Sequence, residues 1–75
     1  MLMQPKLRAM ELIINGENTA LPAGTTVQAM LTARGMDGRG VAVERNGVIV
    51  SKSTYAATAL MDADRIEIIG FIGGG

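Results

Sequence analysis

The chain has no cysteine, no histidine and no tryptophan, and its aromatic residues are Tyr55 and Phe71 alone. Absence of cysteine removes disulfides and thiolates, whether as nucleophiles or as metal ligands. Absence of histidine removes the commonest metal ligand and the side chain best suited to proton transfer near neutral pH. Self-contained catalysis is therefore not expected. Charge of one sign is also not in excess: seven Lys and Arg balance seven Asp and Glu, without a basic cluster. Counterion-driven binding to nucleic acid or to an anionic membrane has no support. No apolar run approaches the eighteen or so residues of a membrane span, and Pro5 interrupts the start before a signal-peptide core could form. A cytoplasmic protein is the expectation.

What is present is a small apolar domain. Of 75 residues 48% are hydrophobic, and with two aromatics the core must be built from Ile, Val, Leu, Met and Ala. Residues 1–8 have no clear period and read as an N-terminal extension. Met10, Leu12 and Ile14 then alternate on one face of a strand, with Ile13 facing the other way. Asn15-Gly16 is the favoured dipeptide of a tight hairpin, so Glu17 to Leu21 should return antiparallel. Pro22-Ala23-Gly24 breaks the hairpin. Thr25 with Gln28 fits a capping box, opening a helix whose buried face carries Val27, Met30 and Leu31, with Arg34 adding its methylene stem. Gly35 closes it.

A glycine-punctuated connection leads to Val41–Arg45, whose alternation buries Val41 and Val43 in a third strand. Asn46-Gly47 is a second tight turn, and Val48-Ile49-Val50 pair back as a short fourth strand. Ser51 to Leu60 contains Tyr55 and several alanines and admits a helical turn. Asp62-Ala63-Asp64 has turn chemistry, with its two aspartates as turn formers rather than metal ligands. Arg65–Ile68 alternates again, placing Ile66 and Ile68 inward, and Gly70 marks a bulge in this last strand. The order predicts an α+β domain: a mixed sheet of about five strands with one main helix across one face. Setting the first and last strands side by side in the middle gives them the most burial, and a β-grasp sheet has that arrangement.

The last strand runs through Ile69, Gly70, Phe71 and Ile72 into Gly73-Gly74-Gly75. Three glycines form a thread without side chains, able to lie extended in a tunnel too narrow for any other residue. Fixing them costs roughly 3 to 6 kcal/mol of backbone entropy, so a flexible tail at 73–75 is expected on a domain covering residues 9–72. The Gly75 carboxylate is the candidate working group, and Gly73 and Gly74 would let it thread into a partner. Phe71 and Ile72 at the root of the tail, with Ile13 and Ile69 on the sheet face away from the core, are candidates for a partner interface. A frayed chain end is the ordinary alternative for the tail.

Asn15-Gly16 after the first strand, the run Val41-Ala42-Val43-Glu44-Arg45-Asn46-Gly47, the segment Asp64-Arg65-Ile66-Glu67-Ile68-Ile69 and the ending Phe71-Ile72-Gly73-Gly74-Gly75 together resemble the ThiS family of sulfur carriers in thiamine biosynthesis. The resemblance covers residues 10 to 75. It implies a ubiquitin-like β-grasp fold and a protein cosubstrate rather than an enzyme. The Gly75 carboxylate would be adenylated by an E1-like, ThiF-like adenylyltransferase using ATP and magnesium, the chain itself binding no cofactor. A persulfide donor would then supply sulfur, and the resulting thiocarboxylate would be consumed by a ThiG-like thiazole synthase. Three alternatives remain: a carrier of another pathway, like the small subunit of molybdopterin synthase; a ubiquitin-like modifier; and a ubiquitin-like binding module without sulfur chemistry.

Overall fold

A computed structural model of the chain describes residues 9–70. Strand β1 (Ala9–Ile14) turns at Asn15-Gly16 into β2 (Glu17–Pro22), and helix α1 (Val27–Ala33) follows. Strand β3 (Val41–Arg45) turns at Asn46-Gly47 into the two-residue β4 (Val48–Ile49). A 3-10 helix (Lys52–Ala57) then leads to β5 (Arg65–Gly70). The sheet order is β2-β1-β5-β3-β4. Strands β1 and β5 are parallel neighbours at its centre, and β5 is antiparallel to β3 on its other side. This is the β-grasp arrangement the sequence predicts.

Both hairpins close as the Asn-Gly dipeptides require. Asn15 and Gly16 sit at φ 51° and 83°, Asn46 and Gly47 at 53° and 86°, the left-handed pair of conformations that matches strand twist in a two-residue turn. Strand β2 extends one residue beyond the expected Leu21, with Pro22 paired to Ala9. Proline is tolerated there because β2 is an edge strand and the missing N–H costs no ladder bond.

The helix start lies one residue later than the sequence suggests. Thr26, not Thr25, is the N-cap, its hydroxyl accepting from the Ala29 N–H at 3.0 Å. Thr25 instead donates to the Pro22 carbonyl at 2.7 Å, and Gln28 reaches forward to Thr32. The capping box is therefore absent, because Thr25 is already committed to the preceding turn. Gly35 does close the helix: at φ 79° it lets its own N–H reach the Thr32 carbonyl and the Met36 N–H reach that of Leu31. This is the paired C-terminal closure that a left-handed residue permits. Arg34, as C-cap, is exposed rather than laid along the core.

The core lies between the sheet and α1. Met10, Leu12 and Ile14 of β1, Val41 and Val43 of β3, and Ile66 of β5 meet Val27, Met30 and Leu31 of α1, with Tyr55 and Leu60 closing the side. Each fully buried aliphatic chain contributes about 1.5–3 kcal/mol. Ile68 reaches this core only in part, being half-buried. Gly70 pairs in unbroken register with Val41, so the expected bulge is absent and β5 runs straight to its end.

Asp64 is the buried acidic residue of the described chain. It accepts from Arg45 Nε at 2.7 Å, from the Met61 N–H at 2.8 Å and from Asn46 Nδ2 at 3.0 Å. Burial pushes its carboxyl up, but these hydrogen bonds and the Arg45 charge outweigh that and hold it below the ordinary 3.8. A lowered folded-state value means that the stabilisation is present above the unfolded value and is lost as pH falls through the folded one. Replacing Asp64 with Asn should cost about 2–4 kcal/mol near neutral pH. Urea unfolding of both proteins across pH should show the gap shrinking as the medium is acidified below pH 3.8; a constant gap would show that charge at Asp64 contributes nothing.

Candidate functional site

The candidate site is the end of β5 and the sheet face around it. Residues 1–8, Phe71, Ile72 and the glycines Gly73, Gly74 and Gly75 lie outside the described residues. Their expected roles therefore rest on sequence, and the site can be built from what delivers the chain to Gly70.

Two asparagines hold that delivery strand. Asn15 donates its N–H to the Ile66 carbonyl at 2.8 Å, and its side-chain oxygen accepts from the Ile68 N–H at 2.7 Å. On the opposite edge Asn46 donates its N–H to the Arg65 carbonyl at 2.8 Å, and its side-chain oxygen accepts from the Arg65 N–H at 2.8 Å. Each Asn-Gly turn thus closes its own hairpin and clamps β5 from one side. The ladder from β1 stops at Ile14 opposite Ile66, and Asn15 carries it one step further with a side chain. Beyond that, β5 leans on β3 alone, through the pairs Ile68–Val43, Ile69–Ala42 and Gly70–Val41.

Alternation fixes which residues face away from α1. On this outer face lie Glu11 and Ile13 of β1, Arg65, Glu67 and Ile69 of β5, and Ala42 and Glu44 of β3. Ile13 is half-buried and Ile69 is 42% exposed. Both interface candidates therefore share the face, as expected, but they are not neighbours. Ile13 stands beside Arg65, four residues before Ile69, a spacing of about 13 Å along the strand. Ile69 lies next to Gly70 at the end of β5, and Ile13 does not. Two further exposed apolar residues, Val48 and Ile49, occupy the edge strand.

On the side of α1, an open cleft of about 530 Å³ reaches Val41, the partner of Gly70, and is lined by Gln28, Thr32, Met36, Asp37 and Arg39 among others. Its charged groups satisfy each other. Asp37 accepts from the Arg39 N–H and from Arg39 Nε at 2.9 and 3.2 Å, and the backbone hydrogen bond leads the causes holding its carboxyl below 3.8. Among the described residues no group of three or more acidic side chains is placed to hold a metal. The two aspartates of the 62–64 turn serve structure: Asp62 accepts from the Glu11 N–H at 2.8 Å, and Asp64 is the hub described above. No described helix is long and apolar enough to cross a membrane.

Residues 9–75 match the ThiS family. This chain belongs to that family. The match runs through the triple glycine. Sulfur carrier protein ThiS of Bacillus subtilis is 38% identical over 63 residues, covering 83% of this chain and 96% of that protein. A thiazole synthase of Paramagnetospirillum magneticum is 54% identical over 66 residues, or 88% of this chain, yet the chain spans only 20% of that relative's length. Among solved structures, the crystal structure of the thiamine biosynthesis protein ThiS from Geobacter metallireducens superposes with a TM-score of 0.74 at 30% identity, covering 88% of this chain and all of that one. The fold is accordingly the ubiquitin-like β-grasp of the ThiS family.

Sequence reasoning missed what Asn15, Asn46 and Asp64 do with their side chains. Asn-Gly signalled only the turn, and the strands those side chains reach are about fifty and twenty residues away in the chain. Replacing Asn15 with Ala, which leaves the Ile68 N–H without its acceptor and strains a φ of 51°, should cost about 1–2 kcal/mol. Native-state hydrogen exchange should then be faster at Ile68 while Val43 keeps its protection; unchanged exchange at Ile68 would refute the clamp.

Proposed function

We propose that this protein is a sulfur carrier of thiamine biosynthesis that works as a protein cosubstrate, with Gly75 as the residue that bears the sulfur. The observation that carries the proposal is the family match, which continues past the folded sheet through Gly75. The unbroken register of β5 to Gly70 supports it, since the strand is paired up to the last described residue before the glycines.

A carboxylate is a poor acyl donor because its leaving group would be oxide. The Gly75 carboxylate oxygen first attacks the α-phosphorus of ATP on an E1-like, magnesium-dependent adenylyltransferase, releasing pyrophosphate and forming an acyl-adenylate. A persulfide sulfur then attacks the acyl carbon and displaces AMP. A thiol cleaves the resulting acyl disulfide, leaving the thiocarboxylate on Gly75 and the donor as a disulfide. Adenylation and sulfur transfer take place on partner proteins, where positioning supplies much of the rate. The carrier needs no base or nucleophile of its own, which suits a chain without histidine or cysteine.

A thiazole synthase is the acceptor of the sulfur in this reading. Support comes from the Paramagnetospirillum thiazole synthase, of which this chain matches about a fifth. A carrier-like segment within a thiazole synthase would be tethered to its acceptor, and tethering raises the effective concentration of one for the other. Dependence on ATP and a persulfide donor would suit a cytoplasmic reaction.

The tail is tested by replacing Gly74 with Ala. One methyl group on the thread should leave the unfolding curve unchanged and slow ATP–pyrophosphate exchange on the adenylyltransferase by about a hundredfold or more. Exchange at the wild-type rate would refute a narrow channel for the tail, and exchange undiminished by removal of Gly73 to Gly75 would refute the carrier function.

A further inference from the structure

Asparagine followed by glycine is the dipeptide most open to spontaneous deamidation, because glycine leaves the next backbone nitrogen unshielded. The chain carries two, Asn15-Gly16 and Asn46-Gly47, at nearly the same φ angles in the same kind of turn. All four residues are exposed, and the space beside each glycine is open. Neither glycine N–H donates to a backbone acceptor among the described residues.

What differs is how each asparagine side chain is held. Asn15 accepts one hydrogen bond, from the Ile68 N–H at 2.7 Å, and its amide nitrogen has no partner among the described residues. Asn46 is held at both ends: its oxygen accepts from the Arg65 N–H at 2.8 Å, and its Nδ2 donates to Asp64 Oδ1 at 3.0 Å. Asp64 is buried and tied to Arg45 and to the Met61 N–H, so it cannot follow a departing amide. Cyclisation requires the side-chain carbonyl carbon to swing over the following backbone nitrogen. Asn15 gives up one hydrogen bond to do so, and Asn46 gives up two, one of them to a carboxylate. Asp37-Gly38 has the same following glycine, but an ionised carboxylate resists attack and Asp37 is paired with Arg39.

We propose that Asn15 is a modification site, deamidating in the folded protein and releasing β5 at Ile68 when it ages to isoaspartate, while Asn46 in the same dipeptide is protected by Asp64. The Gly16 nitrogen, losing its proton to base, attacks Cγ of Asn15. The bond from Cγ to the amide nitrogen breaks, ammonia leaves, and a five-membered succinimide closes. Water then adds to either ring carbonyl and opens it to aspartate or to isoaspartate. The balance is one water in and one ammonia out, with no oxidation or reduction. Aspartate keeps the backbone and still offers an oxygen to the Ile68 N–H, now with a charge to strengthen the bond. Isoaspartate inserts a methylene into the main chain, so the two-residue turn no longer spans its hairpin and the acceptor is carried away from Ile68. The ladder from β1 ends at Ile66, so this change removes the last attachment of β5 on that side. It leaves the pairing with β3 in place, and it does not depend on what the protein carries.

The full chain would be aged in mildly alkaline buffer, folded or in urea, and its peptides fragmented by electron transfer, which separates isoaspartate from aspartate. In the folded protein Asn15 should deamidate about tenfold or more faster than Asn46, the equivalent of one charge-assisted hydrogen bond. In urea the two rates should converge to within about twofold, because the neighbours that distinguish them are gone. An intact Asn15, equal rates in the folded protein, or the same tenfold difference in urea would each overturn the proposal. In the isolated isoaspartate fraction, hydrogen exchange at Ile68 should be about fivefold or more faster while Val43 keeps its protection. Unchanged exchange at Ile68 would overturn the release of β5.

Discussion

The structure depends on β5 being held from both sides. It is the central strand, parallel to β1 and antiparallel to β3, and a parallel neighbour can be reached only by a long crossover. Everything between β2 and β5 is that crossover: helix α1, the β3–β4 hairpin and the 3-10 helix. Its apolar side supplies the core against which Ile66 is fully buried. Because the two hairpins flank β5, their asparagines reach it from opposite edges. Arg45, Asn46 and Asp64 then lock the strand's entrance. The exit is held more lightly, by one asparagine side chain and the β3 ladder. A strand anchored at its entrance and freer at its exit suits the proposed carrier, whose chemistry would take place beyond its end.

Much of this was legible in the sequence because it follows from local rules. Period-two alternation marked Met10, Leu12, Ile14, Val41, Val43 and Ile66 as inward-facing, and helical spacing marked Val27, Met30 and Leu31. Both Asn-Gly turns were read correctly because positive φ at two successive residues leaves few other choices. The errors came where one residue had two possible partners. Thr25 and Thr26 are both competent N-caps, and only the turn at Pro22 decides which hydroxyl is available. Gly70 looked like a bulge because glycine in a strand often is one; its register with Val41 is a long-range fact.

The site divides unevenly between sequence and structure. Composition argued against self-contained catalysis, and the glycines at 73–75 suggested where a partner would act; both expectations lie outside what the described residues test. Ile13 and Ile69 were correctly assigned to one face, but the distance between them depends on the β1–β5 register. In the proposed reading a protein built this way contributes recognition and a reactive end, while activation and transfer belong to the proteins that receive it. Such a division explains how a domain of 75 residues, without histidine or cysteine, can belong to a family of sulfur carriers.

Intact mass spectrometry tests that claim most directly. The chain would be incubated with ATP, magnesium, a persulfide donor and the E1-like enzyme from the same source, then fragmented to locate any change. The account predicts a mass increase equal to the exchange of one oxygen for sulfur, confined to Gly75. An unchanged mass, with the same enzyme shown to be active on another carrier, would contradict it.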